Sequence, residues 1–234
     1  DDFSDFPAEA KNLPTVGGSF GNYTNETIVS LNPDLVIAAE INTPEQVQAL
    51  EDLGLTVYYL KNPTSMEGMY ENLQIVGKLT GHEGEARALA ESLQQRVKAV
   101  TDKIALLSYG PSVFYELDSS DPNAPYTAGK GTFIDLLIQM AGGSNLGNAM
   151  DGSWGQMSLE ELVVQNPHVI LLGDAAYGVT PESVAQRPGW EGLAAVQENR
   201  VYAFDDNLVS RPGPRLVDGL ETLAKLLHPG ALEE

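Results

Sequence analysis

One segment of this chain is written twice, and no other feature restricts its possible folds as strongly. TNETIVSLNPDLVIAA, Thr24 to Ala39, returns far downstream as SLEELVVQNPHVILLG, Ser158 to Gly173. With Glu26 set on Glu160, Val29 falls on Val163, Asn32 on Asn166 and Pro33 on Pro167. Apolar positions follow: Ile28 with Leu162, Leu35 with Val169, Val36 with Ile170, Ile37 with Leu171. Each copy reads as a short amphipathic helix, capped by Asn25 or Thr24 in the first and by Ser158 in the second. A glutamate stands in each first turn, where exposed amides and the helix dipole favour a carboxylate. Asn-Pro then ends the helix, because proline disfavours α conformation in the residue before it. A run of about four apolar residues follows, too short for a helix and suited to a buried parallel strand.

More units of the same kind surround each copy. TPEQVQALEDLG predicts a helix with Thr43 as cap, Pro44 at its first position and Gly54 at its end. LTVYYL, Leu55–Leu60, predicts the next strand. Downstream come a strand at Ser112–Leu117, a helix near Thr132–Ala141, the echo strand, a strand at Arg200–Phe204 and a helix over about Pro214–Leu227. Alternating strands and helices imply an α/β fold with a parallel sheet in each half. Between the halves, Leu89, Leu93, Val97, Val100 and Ile104 recur at steps of four, four, three and four, one face of a helix. At about 1.5 Å per residue that helix spans roughly 30 Å. The expected organisation is an N-terminal lobe over residues 1–82, a connecting backbone helix over 83–107 and a C-terminal lobe over 108–234. A single long helix between lobes acts as a strut that resists hinging.

Composition removes several functions. The 234 residues include 13 basic and 33 acidic side chains, for a net charge of −20. Such a surface repels a phosphate backbone, and no basic cluster relieves it, so nucleic acid is not an expected partner. Without cysteine there are no disulfides, thiolate metal sites or cysteine nucleophiles. No apolar run reaches the roughly 18 residues of a membrane span. The apolar fraction of 42% is enough for a real core.

Four stretches, in order along nearly the whole chain, then carry a family resemblance: ETIVSLNPDLVIA, NLQIVGKLTGHEGEARAL, SWGQMSLEELVVQNPHVILL and RPGWEGLAAVQENRVYAFD. They resemble the substrate-binding proteins of ABC importers with a single helical backbone between lobes, the group that captures vitamin B12, haem and ferric siderophores. The resemblance implies capture of an iron chelate, haem or a corrinoid, delivery to the importer's membrane subunits, and no catalysis and no cofactor. It implies a periplasmic or extracellular location, with a lipid anchor outside this sequence as one form of it. It also gives the repeated glutamates a role: Glu26 and Glu160 match positions that dock on arginines of the two membrane subunits. Family members usually open with a strand, a helix and a second strand before the segment that DDFSDFPAEAKNLPTVGG resembles; the sequence is expected either to be a fragment that omits this unit or to come from a member that lost it, and a missing first strand would leave a sheet edge open to pairing.

Ligands of open α/β sheets bind beyond the carboxyl ends of the strands, and in two facing lobes those ends meet across a cleft. The candidates are therefore Phe20, Tyr23 and Glu40 in the N-terminal half, and Tyr126, Trp154, Tyr177 and Arg211 in the C-terminal half. Aromatic faces on glycine-rich loops suit a large flat ligand. Trp154, in a loop ahead of the docking helix, matches a position where the family often places a ligand-facing aromatic. Arg211 offers a planar fork for a carboxylate or catecholate, or a partner for surface acids. Trp190 reads as structural. The competing readings are an enzyme or chelatase on similar lobes, and a carrier of a bare metal ion. HExxH and P-loop motifs are absent, and only three histidines, His82, His168 and His228, are available as ligands.

Overall fold

The computed structural model describes residues 6–17 and 23–231. It contains two compact units, which divide between Asn62 and Pro63. In the first unit, α1 (Asn25–Ser30) leads into β1 (Val36–Ala39), and α2 (Pro44–Asp52) leads into β2 (Val57–Leu60). The two strands pair in parallel, from Val36 opposite Val57 to Ala39 opposite Leu60. Thr43 and Gln46 close a reciprocal capping box at the start of α2, with Pro44 at the first helical position. β1 departs from the buried strand expected of it: only Ala38 is buried, and Ile37 is exposed. Among the described residues β1 pairs with β2 alone, so much of its surface lacks cover.

The second unit opens with two helices that pack on each other, α3 (Met66–Thr80) and α4 (Glu83–Ile104), joined at Gly81 in the left-handed conformation (φ 77°). Then follow β3 (Ser112–Asp118), β4 (Tyr126–Ala128), α5 (Phe133–Met140), β5 (Ser144–Asn145), β6 (Trp154–Gln156), α6 (Leu159–Gln165) and β7 (Val169–Leu172). The chain ends with α7 (Pro181–Ala185), α8 (Ala194–Gln197), β8 (Val201–Ala203), α9 (Asn207–Ser210) and α10 (Leu216–Leu227). The sheet order is β6-β4-β3-β7-β8, with β5 beside the start of β3. β3, β7 and β8 are parallel, as expected, and the short β5, which the sequence pattern did not show, joins β3 in parallel. β4 and β6 are antiparallel additions at one edge that the sequence pattern did not show.

Side-chain alternation sorts this sheet into two cores. Val113, Tyr115, Val169 and Leu171 face a cluster with Ile134, Leu137 and Ile138 of α5 and Leu220, Leu223 and Leu227 of α10. Phe114, Ile170 and Leu172 face the opposite cluster, with Leu162 of α6, Trp190 and Val201. Helix α4 belongs to the first of these through Ala90, Leu93 and Val100. Arg96 locks it to α10, donating to Asp218 at 2.6 Å and to both carboxylate oxygens of Glu221 at 2.8 and 2.7 Å. Because α4 packs on α3 and on α10, the first compact unit ends at Asn62, ahead of the lobe boundary expected at residue 82. The predicted helix over 83–107 is observed over Glu83–Ile104.

The repeat is conformational as well as sequential. Asn32 and Asn166 both sit at positive φ, 46° and 44°. The turn therefore uses asparagine's tolerance of the left-handed region, rather than the extended conformation proline alone would favour. Asn199, between α8 and β8, does the same at φ 55° without a following proline. All three non-glycine residues at positive φ among those described are asparagines that join a helix to a strand.

Candidate functional site

Three parallel strands of the second unit, β3, β7 and β8, end on the same side of their sheet. β4 runs the other way, so its first residue, Tyr126, stands at that end, opposite Asp118. β6 brings Gln156 beside Tyr126. These residues, with Ser120, Asp121 and Ala124, line a groove of about 520 Å³. The turn that follows β3 is fixed by its own carboxylates. Asp118 accepts from the Ser120 amide at 2.7 Å, and Asp121 accepts from the Asn123 amide at 3.0 Å. The Ser120 hydroxyl and amide hold the Asp118 carboxyl below its ordinary pKa, so it is charged at neutral pH.

Trp154 stands opposite Ala128 on the same β4–β6 pair. The sequence places it in a loop; the structure makes it the first residue of an edge strand, which fixes its direction better. Side chains at Trp154 and Gln156 project on one face of β6, and Tyr126, the partner of Gln156, projects with them. Trp154 and Tyr126 are thus diagonal cross-strand neighbours, a relation that spans about 7–8 Å. Both are exposed, Trp154 by 51%. The result is an aromatic surface beside a groove with two carboxylates. Tyr177 follows β7 on a short 3-10 turn and is highly exposed, while Arg211 follows α9, is partly buried and has a partner within the protein.

Buried polar groups brace this end of the sheet. Glu116 on β3 is fully buried and accepts two hydrogen bonds from Arg187, at 2.6 and 2.9 Å. The Arg187 guanidinium also lies 4.7 Å over the ring of Trp190, whose indole N–H donates to the Pro122 carbonyl at 3.1 Å. Trp190 is therefore structural, as the sequence suggests. Burial pushes the Glu116 carboxyl above its usual pKa, and Arg187 opposes that shift. Ser119 donates to Asp174 at 2.7 Å, and Tyr115 donates to Asp206 at 2.8 Å. Burial and the Asp206 charge push the Tyr115 phenol well above its ordinary range. None of these pairs was visible in the sequence, because each joins residues from separate elements.

In the first unit Phe20 lies outside the described residues. Tyr23 pairs with Gly17 across an isolated bridge, and its hydroxyl is buried without a hydrogen-bond partner among the described residues. Burial raises its pKa. It shares a groove of about 440 Å³ with Glu26, Glu45 and Gln46. The sequence gives Tyr23 and Glu26 different tasks; the structure sets them around one depression. Glu40, just past β1, accepts from the Asn62 amide at 2.8 Å and so ties down the segment after β2.

Glu26 and Glu160 occupy the first turns of α1 and α6, and both are exposed. Ser158 caps α6 by accepting from the Glu161 amide at 3.2 Å, whereas Thr24 stands at the cap of α1 without such a bond. Ser112 and His168 meet at 2.6 Å, but they join the amino-terminal ends of β3 and β7, away from the groove. Among the described residues no group of three or more His, Asp or Glu side chains is arranged to hold a metal ion.

Comparison with known proteins gives a consistent result. A family model described as periplasmic binding protein matches residues 1–208. An uncharacterized ABC transporter substrate-binding lipoprotein of Bacillus subtilis, YvrC, is 34% identical over 98% of this chain and 72% of its own length. A cobalamin-binding protein of Halobacterium salinarum is 31% identical over 97% of this chain, which spans 62% of that protein. The crystal structure of a periplasmic haem-binding protein from Pseudomonas aeruginosa superposes with a TM-score of 0.83 at 27% identity, covering 98% of this chain and 84% of the other.

Proposed function

Because the chain belongs to the periplasmic binding protein family, we propose that it is the extracytoplasmic substrate-binding component of an ABC importer, and that its cargo is a corrinoid. Relatives that bind cobalamin and haem support the broader class of iron chelate, haem or corrinoid. The choice within that class rests on one observation: the exposed Trp154–Tyr126 surface stands beside a groove whose charged groups are Asp118 and Asp121. A flat ring system covers the aromatics, and the carboxylates accept from amide N–H groups. Corrinoids carry such amides around the ring. Haem propionates and catecholate siderophores instead bring negative charge toward these aspartates, in a chain of net charge −20.

Glu26 and Glu160 are assigned to the importer's membrane subunits, which the repeat supports by placing an exposed first-turn glutamate on each of two equivalent helices. The division into an N-terminal lobe over residues 1–82, a connecting helix over 83–107 and a C-terminal lobe over 108–234 is retained as a proposal for the organisation of the chain. Phe20, Tyr23, Glu40, Tyr177 and Arg211 are proposed as further ligand contacts on the sequence pattern.

The test is titration with cyanocobalamin, haemin and a panel of ferric siderophores, read by calorimetry and by melting temperature, since binding to the native state raises it. Cyanocobalamin is expected to bind and stabilise. Binding of haemin or an anionic siderophore without cyanocobalamin overturns the corrinoid assignment. Stoichiometric zinc or manganese in the purified protein overturns the whole cargo class.

A further inference from the structure

The two glutamate-bearing helices carry a second repeated feature. Val29 of α1 and Val163 of α6, matched in the repeat, are 41% and 49% exposed. Each lies three residues after its glutamate and so shares its helical face. Neither valine belongs to a buried hydrophobic cluster among the described residues. Each helix is anchored by other residues, α1 by the buried Ile28 and α6 by the buried Leu162 with the partly buried Leu159. A β-branched residue on an exposed helix position also costs helix propensity rather than adding it. One exposed valine is ordinary; the same valine beside the same glutamate on two equivalent helices is a pattern. The copies then diverge at the next residue, four from the glutamate. α1 has Ser30 there, and α6 has Val164, which is 83% exposed.

We infer that Glu160, Val163 and Val164 form the dominant docking patch for an importer membrane subunit, and that Glu26 and Val29 form a weaker counterpart. The inference rests on the proposed docking role of the glutamates and adds an apolar component and an asymmetry to it. The partner surface is expected to be basic at one point and apolar beside it. Charge complementarity argues for that occupant: a carboxylate flanked by bare valines pairs with a cation set in an apolar surround, where water is excluded and the pair strengthens. Central apolar anchors ringed by polar residues carry most of the energy of such interfaces.

The experiment measures binding of the full chain, with cyanocobalamin present, to the importer from the same source reconstituted in lipid nanodiscs. Val163→Ser/Val164→Ser is expected to weaken docking by about tenfold or more, and Val29→Ser by about twofold to threefold. Ligand affinity and the melting temperature of each variant serve as controls for the fold. Equal losses from the two sites overturn the asymmetry. If Glu160→Arg abolishes docking while the double serine variant docks normally, the apolar component falls and the docking role of the glutamate stands. If neither change affects docking, both fall. A change in self-association of the double variant, seen by light scattering, would assign the patch to a second copy of this chain and refute the inference.

Discussion

Replacing Trp154 by Ala tests the ligand surface most directly. The ring is 51% exposed on an edge strand, so about half of a Trp's contact area of roughly 200 Å² is available to a ligand. Covering about 100 Å² is worth roughly 2.5 kcal/mol at about 25 cal/mol per Å². Part of this is offset by ordering the ligand and ring, which leaves about 1–2 kcal/mol, a loss of about fivefold to thirtyfold in affinity. Tyr126 is its diagonal neighbour, so Tyr126→Ala should lose a comparable amount. The double variant should lose less than the sum, because one ligand ring spans both side chains. Trp154→Phe keeps an aromatic face and should recover most of the binding. The assay is calorimetric titration with cyanocobalamin, run well below each variant's melting temperature, because the buried half of the ring also supports the fold. A folded Trp154→Ala protein that binds within twofold of the parent removes Trp154 from the site. Full additivity with Tyr126→Ala breaks the shared-ring argument.

Arg187→Ala should cost about 3–5 kcal/mol at pH 7 in urea unfolding, since it leaves the buried Glu116 carboxylate uncompensated. Burial already holds the Glu116 carboxyl above its unfolded value, and loss of Arg187 raises it further; a raised carboxyl contributes stability at low pH that disappears as pH rises through the folded value, so the defect should shrink toward pH 5 and shrink again in Glu116→Gln/Arg187→Ala. An equal defect at both pH values would show that only the packing of Arg187 on Trp190 was lost. Asn166→Val should cost about 1–3 kcal/mol in thermal melts, because φ 44° is strained for a β-branched residue and the side chain also accepts from the Ala194 amide at 2.8 Å; Asn166→Gly should cost less, and the reverse order would contradict the turn argument. Glu26→Arg and Glu160→Arg should weaken docking by about 2–5 kcal/mol while ligand binding stays near the parent's, and variants that dock normally on nanodiscs would make the repeated glutamate purely architectural.

The local grammar of this protein was legible in its sequence. Helix starts at Thr43 and Ser158, helix ends at Asn32 and Asn166, and the apolar run of β7 are determined by capping chemistry, backbone preference and side-chain period, all of which act over a few residues. The duplication of that grammar, with four motifs in order, was enough to identify the family. Asn199 carries no such local mark, since no proline follows it to signal the turn.

What needed the tertiary structure was everything set by pairing between distant segments. The same helix-turn-strand unit gives a strand buried along its length in β7 and a partly exposed one in β1, because burial depends on the neighbours each strand acquires. Tyr126 and Trp154 share a face only because β4 and β6 pair antiparallel in one register; a shift of one residue would turn Trp154 to the other side. Glu116 meets Arg187, and Glu45 and Gln46 of α2 meet the groove of Tyr23 and Glu26, by the same long-range packing. Three-residue strands such as β4 and β6 carry too little period to announce themselves, and an ion pair between separate elements has no local signature at all.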